Sequence, residues 1–414
     1  MASININKLI LFGLLITIFS QVISYVDNNF IELGLFNNLL KLGRIIPIFA
    51  ISVFFIFKQK TNYLILGTIL LSLFLVISNF ILLSQCCLIQ YLAGLINLFS
   101  ILSFLIITIN PFKQFTYTKI SNKLFNLIKF FFYGNIFLQI FQSFTTGSPG
   151  FSLKISLGII SLWIRNLGFF DIPSTTALAS LSLMCVISKE RIARGLIDTK
   201  KLNFTLFYFF PTVISTFLAG SGTSIIGLFI FTYYARDIVI LDPFPRFYLV
   251  RKIFRSSFII NLLLIGLPLI TILYFCLPFI LGRVDILTSV IGRINIFKNI
   301  PSELSAIFIP LKNFGLYTNL MESYGQSIYT NVSDSSITSI YVQYGLVLSV
   351  FIFILILTIF IKPLLRVSKN KRLYPLYILP FLPIFITSNF FEVYISFYSL
   401  LICSLPFKSD SRLN

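Results

Sequence analysis

Long apolar segments, separated by short polar connectors, repeat along almost the whole of this chain. Most of them approach the length of about 20 residues that a helix needs to cross the hydrocarbon core of a bilayer. The pattern predicts about twelve transmembrane helices, with approximate bounds 9–26, 38–57, 63–83, 88–109, 124–142, 174–188, 204–220, 224–241, 257–280, 337–361, 375–389 and 391–406. The last two segments can also form one tight hairpin around residues 388 and 389.

The composition agrees with this pattern. The mean hydropathy is +0.95, 57% of the residues are hydrophobic and 11% are charged. Soluble domains carry about 25% charged residues, so a soluble globular protein is excluded. We therefore predict an all-α polytopic integral membrane protein whose residues 1–414 form a single transmembrane domain.

The basic residues lie mainly in every second connector, within a chain of formal net charge +19. Connectors rich in lysine and arginine stay in the cytoplasm. This rule predicts that both termini face the cytoplasm. The opposite face then carries a medium segment at 143–173 and a large loop at 281–336. Because topology accounts for most of the positive charge, we expect no nucleic-acid partner.

Histidine is absent from the chain, which excludes a histidine base and a histidine metal ligand. The sequence also contains no Walker loop and no dinucleotide-binding glycine motif. We therefore expect neither a metal nor a cofactor. The energy for any reaction or transport must come from the substrate or from a gradient.

Two short segments on the non-cytoplasmic face are candidate binding sites. Arg165 lies in an aromatic, apolar run at a place where topology does not call for arginine, and such a charge is a functional candidate by default. An interfacial helix whose Arg165 reaches the lipid headgroups is the alternative. The second candidate is the turn at 219–224, where Ser221 and Thr223 could donate hydrogen bonds to an anion.

The large loop carries charges of both signs. Arg283 and Arg293 offer planar forks of donors that suit phosphate oxygens, and Lys312 adds a point charge. Asp334 could accept a proton from a sugar hydroxyl, or it could cap the helix that follows. Glu322 is a second candidate for the same base.

Six short motifs along the chain suggest a family when they are taken in order. They are Arg165 with GFFDIPSTTA after it, GSGTSI at 220–225, IGRINIF at 291–297, KNFG at 312–315, SDSSITSIYVQYGLV at 333–347 and SNFFE at 388–392. Together they resemble the O-antigen polymerase (Wzy) family, within the wider superfamily that includes the O-antigen ligases. The ligases use a histidine near the end of the large loop, and this chain has none, which favours the polymerases.

The resemblance implies a bacterial inner-membrane enzyme whose two non-cytoplasmic segments are periplasmic. Its reaction would transfer a glycan from undecaprenyl pyrophosphate to the sugar hydroxyl of another lipid-linked repeat unit, yielding O-antigen or capsular polysaccharide. Asp334 or Glu322 would be the catalytic base, and the substrate-binding residues would be Arg165, Arg283, Arg293, Lys312, Ser221, Thr223 and Tyr344. The expected partners are the lipid-linked oligosaccharide, membrane lipid and a chain-length regulator protein. A flippase for lipid-linked oligosaccharides, or another transporter, is the alternative from a different class.

Overall fold

A computed structural model of the chain describes most of the predicted helices and leaves out the large loop. The residues it describes are 6–31, 33–50, 63–81, 88–109, 117–145, 153–157, 160–170, 173–194, 201–235, 336–365, 378–387 and 393–405. This part of the chain is mostly helical. Its longer helices are α1 (Ile6–Asn29), α2 (Leu35–Gly43), α3 (Tyr63–Ile81), α4 (Leu88–Ile109), α5 (Asn122–Phe144), α6 (Pro173–Ala193), α8 (Phe210–Ala219), α9 (Gly222–Ala235), α10 (Ser336–Leu365) and α12 (Tyr394–Ser404). Short elements join them: α7 (Lys201–Phe204), a π-helical turn (Thr205–Phe209), a 3₁₀ turn (Leu379–Phe381) and α11 (Leu382–Thr387).

The apolar helices indicate a membrane protein. Among the described residues, three helices are long and apolar enough to cross a membrane, namely Asn7–Asn29, Asn122–Phe144 and Ser336–Phe360. Shorter apolar helices cover further parts of the predicted spans. The count of twelve spans and the orientation of the termini stay predictions, and the span at 257–280 lies outside the described residues.

Helix α6 is the central element of the described bundle. All of its residues from 176 to 190 are buried, and it packs against α5, α8, α9 and α12. Helix α6 is buried all round, and ALASLSLM at 177–184 supplies alanines and serines among its larger apolar residues. These small residues let the neighbouring helices approach α6 closely.

Helix α6 continues to Ala193, past the predicted span at 174–188. The charge pattern of the sequence places Lys189 and Arg194 in a basic cytoplasmic connector, but the Lys189 side chain is buried. Its ammonium donates hydrogen bonds to the carbonyl oxygens of Ile402, Cys403 and Leu405. These carbonyls lie at the end of α12, where a helix has unsatisfied acceptors and favours a cation. Lys189 therefore caps a neighbouring helix.

Glu190, beside Lys189, is also fully buried. Its carboxylate accepts hydrogen bonds from the Tyr117 hydroxyl, from the Ile120 amide at 3.1 Å and from Arg194 Nε at 2.6 Å. Burial and the neighbouring Glu190 charge raise the pKa of Tyr117 well above its usual value, so Tyr117 remains a neutral donor. The cluster joins the segment before α5 to the end of α6.

The predicted span at 38–57 is wrong at its start. Helix α2 ends at Gly43, residues 44 and 45 form a turn, and helical backbone resumes at 46–50. Pro47 explains the interruption, because proline is tolerated in the first turn of a new helix and breaks a continuing one. The turn is fixed from outside: the Tyr398 hydroxyl donates to the Arg44 carbonyl at 2.5 Å, and the Arg44 guanidinium lies 4.7 Å above the Tyr394 ring.

Two other apolar segments are helical but irregular. Pro211 lacks the N–H that would bond to the Phe207 carbonyl, and the chain forms its π-helical turn just before this point. The Tyr133 hydroxyl donates to that carbonyl instead, at 3.0 Å.

In α10 the helix is broken at Gly345, whose φ is 75°. Across this break Ser349 donates to the Ile340 carbonyl at 3.0 Å.

The medium segment contains strand structure that the all-α prediction did not include. Strands β1 (Leu153–Leu157) and β2 (Ile160–Ile164) form an antiparallel hairpin in which Lys154 pairs with Trp163. The sequence KISLGIISLWI is rich in the β-branched and aromatic residues that favour strands. Strand β2 ends at Ile164, directly before Arg165.

Helices α1 and α12 touch through Gly13. A Cβ atom at this position would lie 2.2 Å from the ring of Tyr398, which is fully buried. We expect Gly13→Ala to lower the free energy of unfolding by about 1–3 kcal/mol, because neither helix can yield without losing the contact. The measurement is thermal unfolding in detergent. Gly67→Ala is the matched control, since nothing lies within 4 Å of a Cβ there, and equal stability of the two variants would contradict the prediction.

Candidate functional site

Arg165 occupies a backbone conformation that is unusual for its residue type. Its φ is 63°, in the left-handed region, and it is the one non-glycine residue with positive φ in the described part of the chain. Side chains with a Cβ rarely adopt this conformation, which the surrounding structure must therefore hold in place. The Arg165 side chain is half-buried. The residue lies directly after strand β2, where the loop that packs on the helices begins.

The residues after Arg165 are held by the side chains of α5. The Gly168 amide donates to Gln142 Oε1 at 3.0 Å, and the Phe169 amide donates to Asn135 Oδ1 at 3.1 Å. The buried Asn166 side chain donates to Ser143 Oγ at 2.6 Å and to the Gln139 carbonyl at 3.3 Å. Successive turns of one helix thus bind the loop. We call residues 165–169 the arginine turn.

A second layer of hydrogen bonds supports those α5 side chains. Asn135 Nδ2 donates to Ser180 Oγ at 3.2 Å, and Ser180 Oγ lies 2.8 Å from Ser215 Oγ. Ser215 Oγ also donates to Gln139 Oε1 at 2.5 Å. All four residues are buried, and an unmet polar group at such a site costs about 1–3 kcal/mol. The network therefore restricts the arginine turn to one arrangement.

Aromatic packing also holds the arginine turn. The Phe169 ring stacks on Phe131 with 5.5 Å between centroids and meets Tyr25 of α1 edge-on at 5.5 Å. Phe170 is buried and also contacts the Phe131 ring. The buried rings anchor the turn while Arg165 remains half-exposed.

The arginine turn lies beside the second segment singled out from the sequence. The Asn166 amide donates to the Leu218 carbonyl at 3.0 Å, next to the end of α8. Gly220 ends that helix with φ of 61°. Ser221 is buried, and its hydroxyl oxygen accepts from the Ser224 amide at 3.4 Å, at the start of α9. Ser221 thus caps a helix, whereas Thr223 is half-exposed.

Of the other predicted site residues, the structure describes Tyr344. Tyr344 is fully buried in α10, directly before the break at Gly345. Helix α10 packs against α3, α4 and α11. The remaining candidates in the large loop lie outside the described residues: Arg283, Arg293, Lys312, Glu322 and Asp334.

Sequence reasoning missed the α5 side chains that hold the arginine turn. A usable pattern was present, because Asn135, Gln139 and Gln142 recur at the spacing of one helix face within an apolar span. Amides on a membrane helix need partners, so that spacing predicts a polar contact. The partners could not be read from the sequence, since they are loop backbone amides and serines of the α6 and α8 helices.

The site combines the positioned Arg165 cation with two tight turns, at 165–169 and 219–224, and with the buried hydrogen-bond network described above. A guanidinium can donate two parallel hydrogen bonds to a phosphate, and a fixed backbone limits where it points. Among the described residues no group of three or more His, Cys, Asp or Glu could hold a metal ion. The positioned guanidinium makes binding of an anionic group the chemistry that the described site supports best.

Gly168 gives a direct test of whether the arginine turn needs its observed shape. Its φ is 59°, and a Cβ there would lie 2.4 Å from Asn135 Oδ1 and 2.9 Å from Thr176 Cγ2. We expect Gly168→Ala to lower the free energy of unfolding by about 2–4 kcal/mol, from strain and overpacking together. The measurement is thermal unfolding of the solubilised protein.

The control for that variant is Gly134→Ala on α5. A Cβ at Gly134 would meet Phe169 at 3.4 Å, an ordinary contact, and alanine favours the helix. A Gly168→Ala protein as stable as the control would show that the turn tolerates another shape.

No protein-family model, no curated protein and no solved structure matches this chain. The resemblance to the O-antigen polymerases therefore stays a hypothesis that depends on the motifs in the sequence.

Proposed function

We propose that this protein joins lipid-linked oligosaccharide repeat units into a surface polysaccharide at the outer face of the bacterial inner membrane. The observation that carries the proposal is the arginine turn. A half-exposed arginine side chain sits on a strained backbone that side-chain amides of α5 hold in place. A membrane protein that needed Arg165 only to reach lipid headgroups would not require such a fixed backbone.

The proposed reaction sets two chemical requirements. A hydroxyl of the acceptor sugar attacks the anomeric carbon of the donor, the bond from that carbon to the pyrophosphate oxygen breaks, and undecaprenyl pyrophosphate leaves. Negative charge grows on the leaving group, and preorganised cations stabilise it. The attacking hydroxyl loses its proton, which a positioned carboxylate accepts.

The chain offers residues for both requirements. In this proposal four cations bind the pyrophosphate, namely Arg165, Arg283, Arg293 and Lys312. A carboxylate accepts the proton, and it is Asp334 or Glu322. Thr223, half-exposed beside the arginine turn, contacts the donor near its phosphates, while Ser221 keeps the neighbouring turn in shape. Tyr344 is fully buried before the break in α10, and its predicted role in substrate binding has no support from its position.

One observation favours the second candidate, a transporter or flippase. Helix α10 is broken at Gly345, and the buried polar residues Ser339, Gln343 and Ser349 flank the break. Broken membrane helices with polar surroundings form the substrate sites of many transporters. We favour the polymerase proposal because it gives the arginine turn a role, namely binding of the pyrophosphate.

Deletion of the gene in the producing bacterium separates the candidates. Electrophoresis of the surface glycan should show single repeat units attached to the cell surface, because transfer across the membrane remains intact. Loss of all repeat units from the outer face would instead identify a flippase. Intact long polymer that stays on the lipid carrier would identify a ligase. Either of the last two results would reject the proposal.

A further inference from the structure

Asn166 lies where the arginine turn meets α5 and α8. It follows Arg165 directly and is fully buried. Its side-chain amide donates to Ser143 Oγ at 2.6 Å and to the Gln139 carbonyl at 3.3 Å, both on α5. Its backbone amide donates to the Leu218 carbonyl at 3.0 Å, in the last turn of α8. One residue therefore joins the arginine turn to two helices.

The contact with α8 has a structural reason. The last four carbonyls of a helix lack partners within it. In α8 the amides of Gly220 and Ser221 donate to two of these carbonyls. The Leu218 carbonyl accepts from the Asn166 amide, so the arginine turn contributes to the cap of α8. The turn at 219–224 begins directly after this carbonyl.

A second contact between α5 and α8 supports the same junction. Gln139 Nε2 donates to the Ser215 carbonyl at 3.4 Å, and Ser215 Oγ donates to Gln139 Oε1 at 2.5 Å. Ser215 lies three residues before Leu218, on the same helix. Gln139 also accepts from Asn166 through its carbonyl. Asn166 therefore cannot shift without breaking hydrogen bonds to both helices.

We propose that Asn166 is the positioning residue for Arg165. It holds the arginine turn against α5 and α8, and so keeps the half-exposed Arg165 side chain beside the turn at 219–224. A cation held in place binds an anion more tightly than a mobile one, because less side-chain freedom is lost on binding. Asn166 itself is buried and acts only through its neighbour. The inference rests on the proposed function in one respect, namely that Arg165 binds the pyrophosphate.

The test is a titration of undecaprenyl pyrophosphate into the full-length protein in a neutral detergent. Asn166→Ala should weaken binding by roughly tenfold, the cost of ordering one long side chain on binding. In an Arg165→Gln background the same substitution should leave the affinity nearly unchanged, because the residue through which Asn166 acts is absent. An equal loss in both backgrounds would show that Asn166 acts on the fold in general, and would overturn the proposal.

Ser182→Ala is the matched control. Ser182 Oγ donates to Ser396 Oγ at 2.9 Å, and both residues are fully buried where α6 packs against α12. The variant loses one buried hydrogen bond, so thermal unfolding should show a loss of stability, as it should for Asn166→Ala. Its affinity for undecaprenyl pyrophosphate should equal that of the wild type. A weaker affinity in the control would mean that binding follows stability alone, and would contradict the positioning role.

Ser143→Ala tests the same contact if Asn166→Ala does not fold. It removes one α5 acceptor of the Asn166 side chain and leaves Asn166 in place. Its affinity should fall in the same direction but less, since the hydrogen bond to the Gln139 carbonyl remains. Unchanged affinity beside normal wild-type binding would reject this inference alone. A wild type that binds no undecaprenyl pyrophosphate would reject the proposed function, and this inference with it.

Discussion

Arg165→Lys is expected to insert and accumulate like the wild type but to make little or no long polymer. Lysine keeps the charge and has the same Cβ, so the strain of the left-handed backbone is unchanged. What it loses is the planar fork of donors that can bind two phosphate oxygens together. Loss of one positioned donor to a developing negative charge lowers turnover by on the order of 10²-fold. The measurements are the membrane level of the protein and the glycan length distribution.

Lys154→Ala is the control for this variant, because Lys154 belongs to the same hairpin and pairs with Trp163 two residues before Arg165. It should leave the glycan lengths unchanged. Full-length polymer from Arg165→Lys at normal protein level would rule out the bidentate role. In that case Arg165 would be a cation at the membrane surface whose chemistry lysine can reproduce.

Asp334→Asn is expected to lower chain extension by on the order of 10²–10⁴-fold, the usual contribution of a general base. Asparagine keeps the shape of the side chain and removes the anionic proton acceptor. Asp334 lies outside the described residues, two positions before α10 begins at Ser336. The assay is polymer formation from purified lipid-linked repeat units.

The competing role for Asp334 predicts a different result. If it only caps α10, asparagine caps nearly as well, and both stability and polymer length should be near normal. Glu322→Gln tested in parallel assigns the base, because a large loss there with normal Asp334→Asn activity would move the role to Glu322. Normal activity in both variants would remove a carboxylate base in this loop from the mechanism.

The positions of the apolar helices could largely be predicted, whereas their interruptions could not. The segments at 63–83, 88–109 and 124–142 coincide with α3, α4 and α5, because length and hydropathy are properties of the local chain. The break at Gly345 required more information, since an isolated glycine is often tolerated in a membrane helix. The structure shows Ser349 bonded across the break, in a helix that packs against α3, α4 and α11.

The distribution of charge along the sequence did not predict the surroundings of every basic residue. Lys189 and Arg194 follow the positive-inside pattern, and the sequence assigns both to a solvated connector. The structure instead buries Lys189 against the end of α12 and pairs Arg194 with Glu190. The partners of Lys189 lie 213 or more residues away along the chain, whereas Glu190 lies four residues from Arg194. Only the contact between Arg194 and Glu190 could have been proposed from spacing.

The sequence by itself determined that this is a helical membrane protein, and it identified Arg165 as a charge out of place. Both conclusions follow from the cost of polar groups in hydrocarbon, which depends on residue type and order along the chain. Only the tertiary structure decided how Arg165 is held. The side-chain amides of Asn135 and Gln142 accept hydrogen bonds from the backbone of a loop that lies 26 or more residues away, and the Gln139 carbonyl accepts one from the Asn166 side chain. Such contacts depend on how helices pack, and packing joins residues that no local pattern relates.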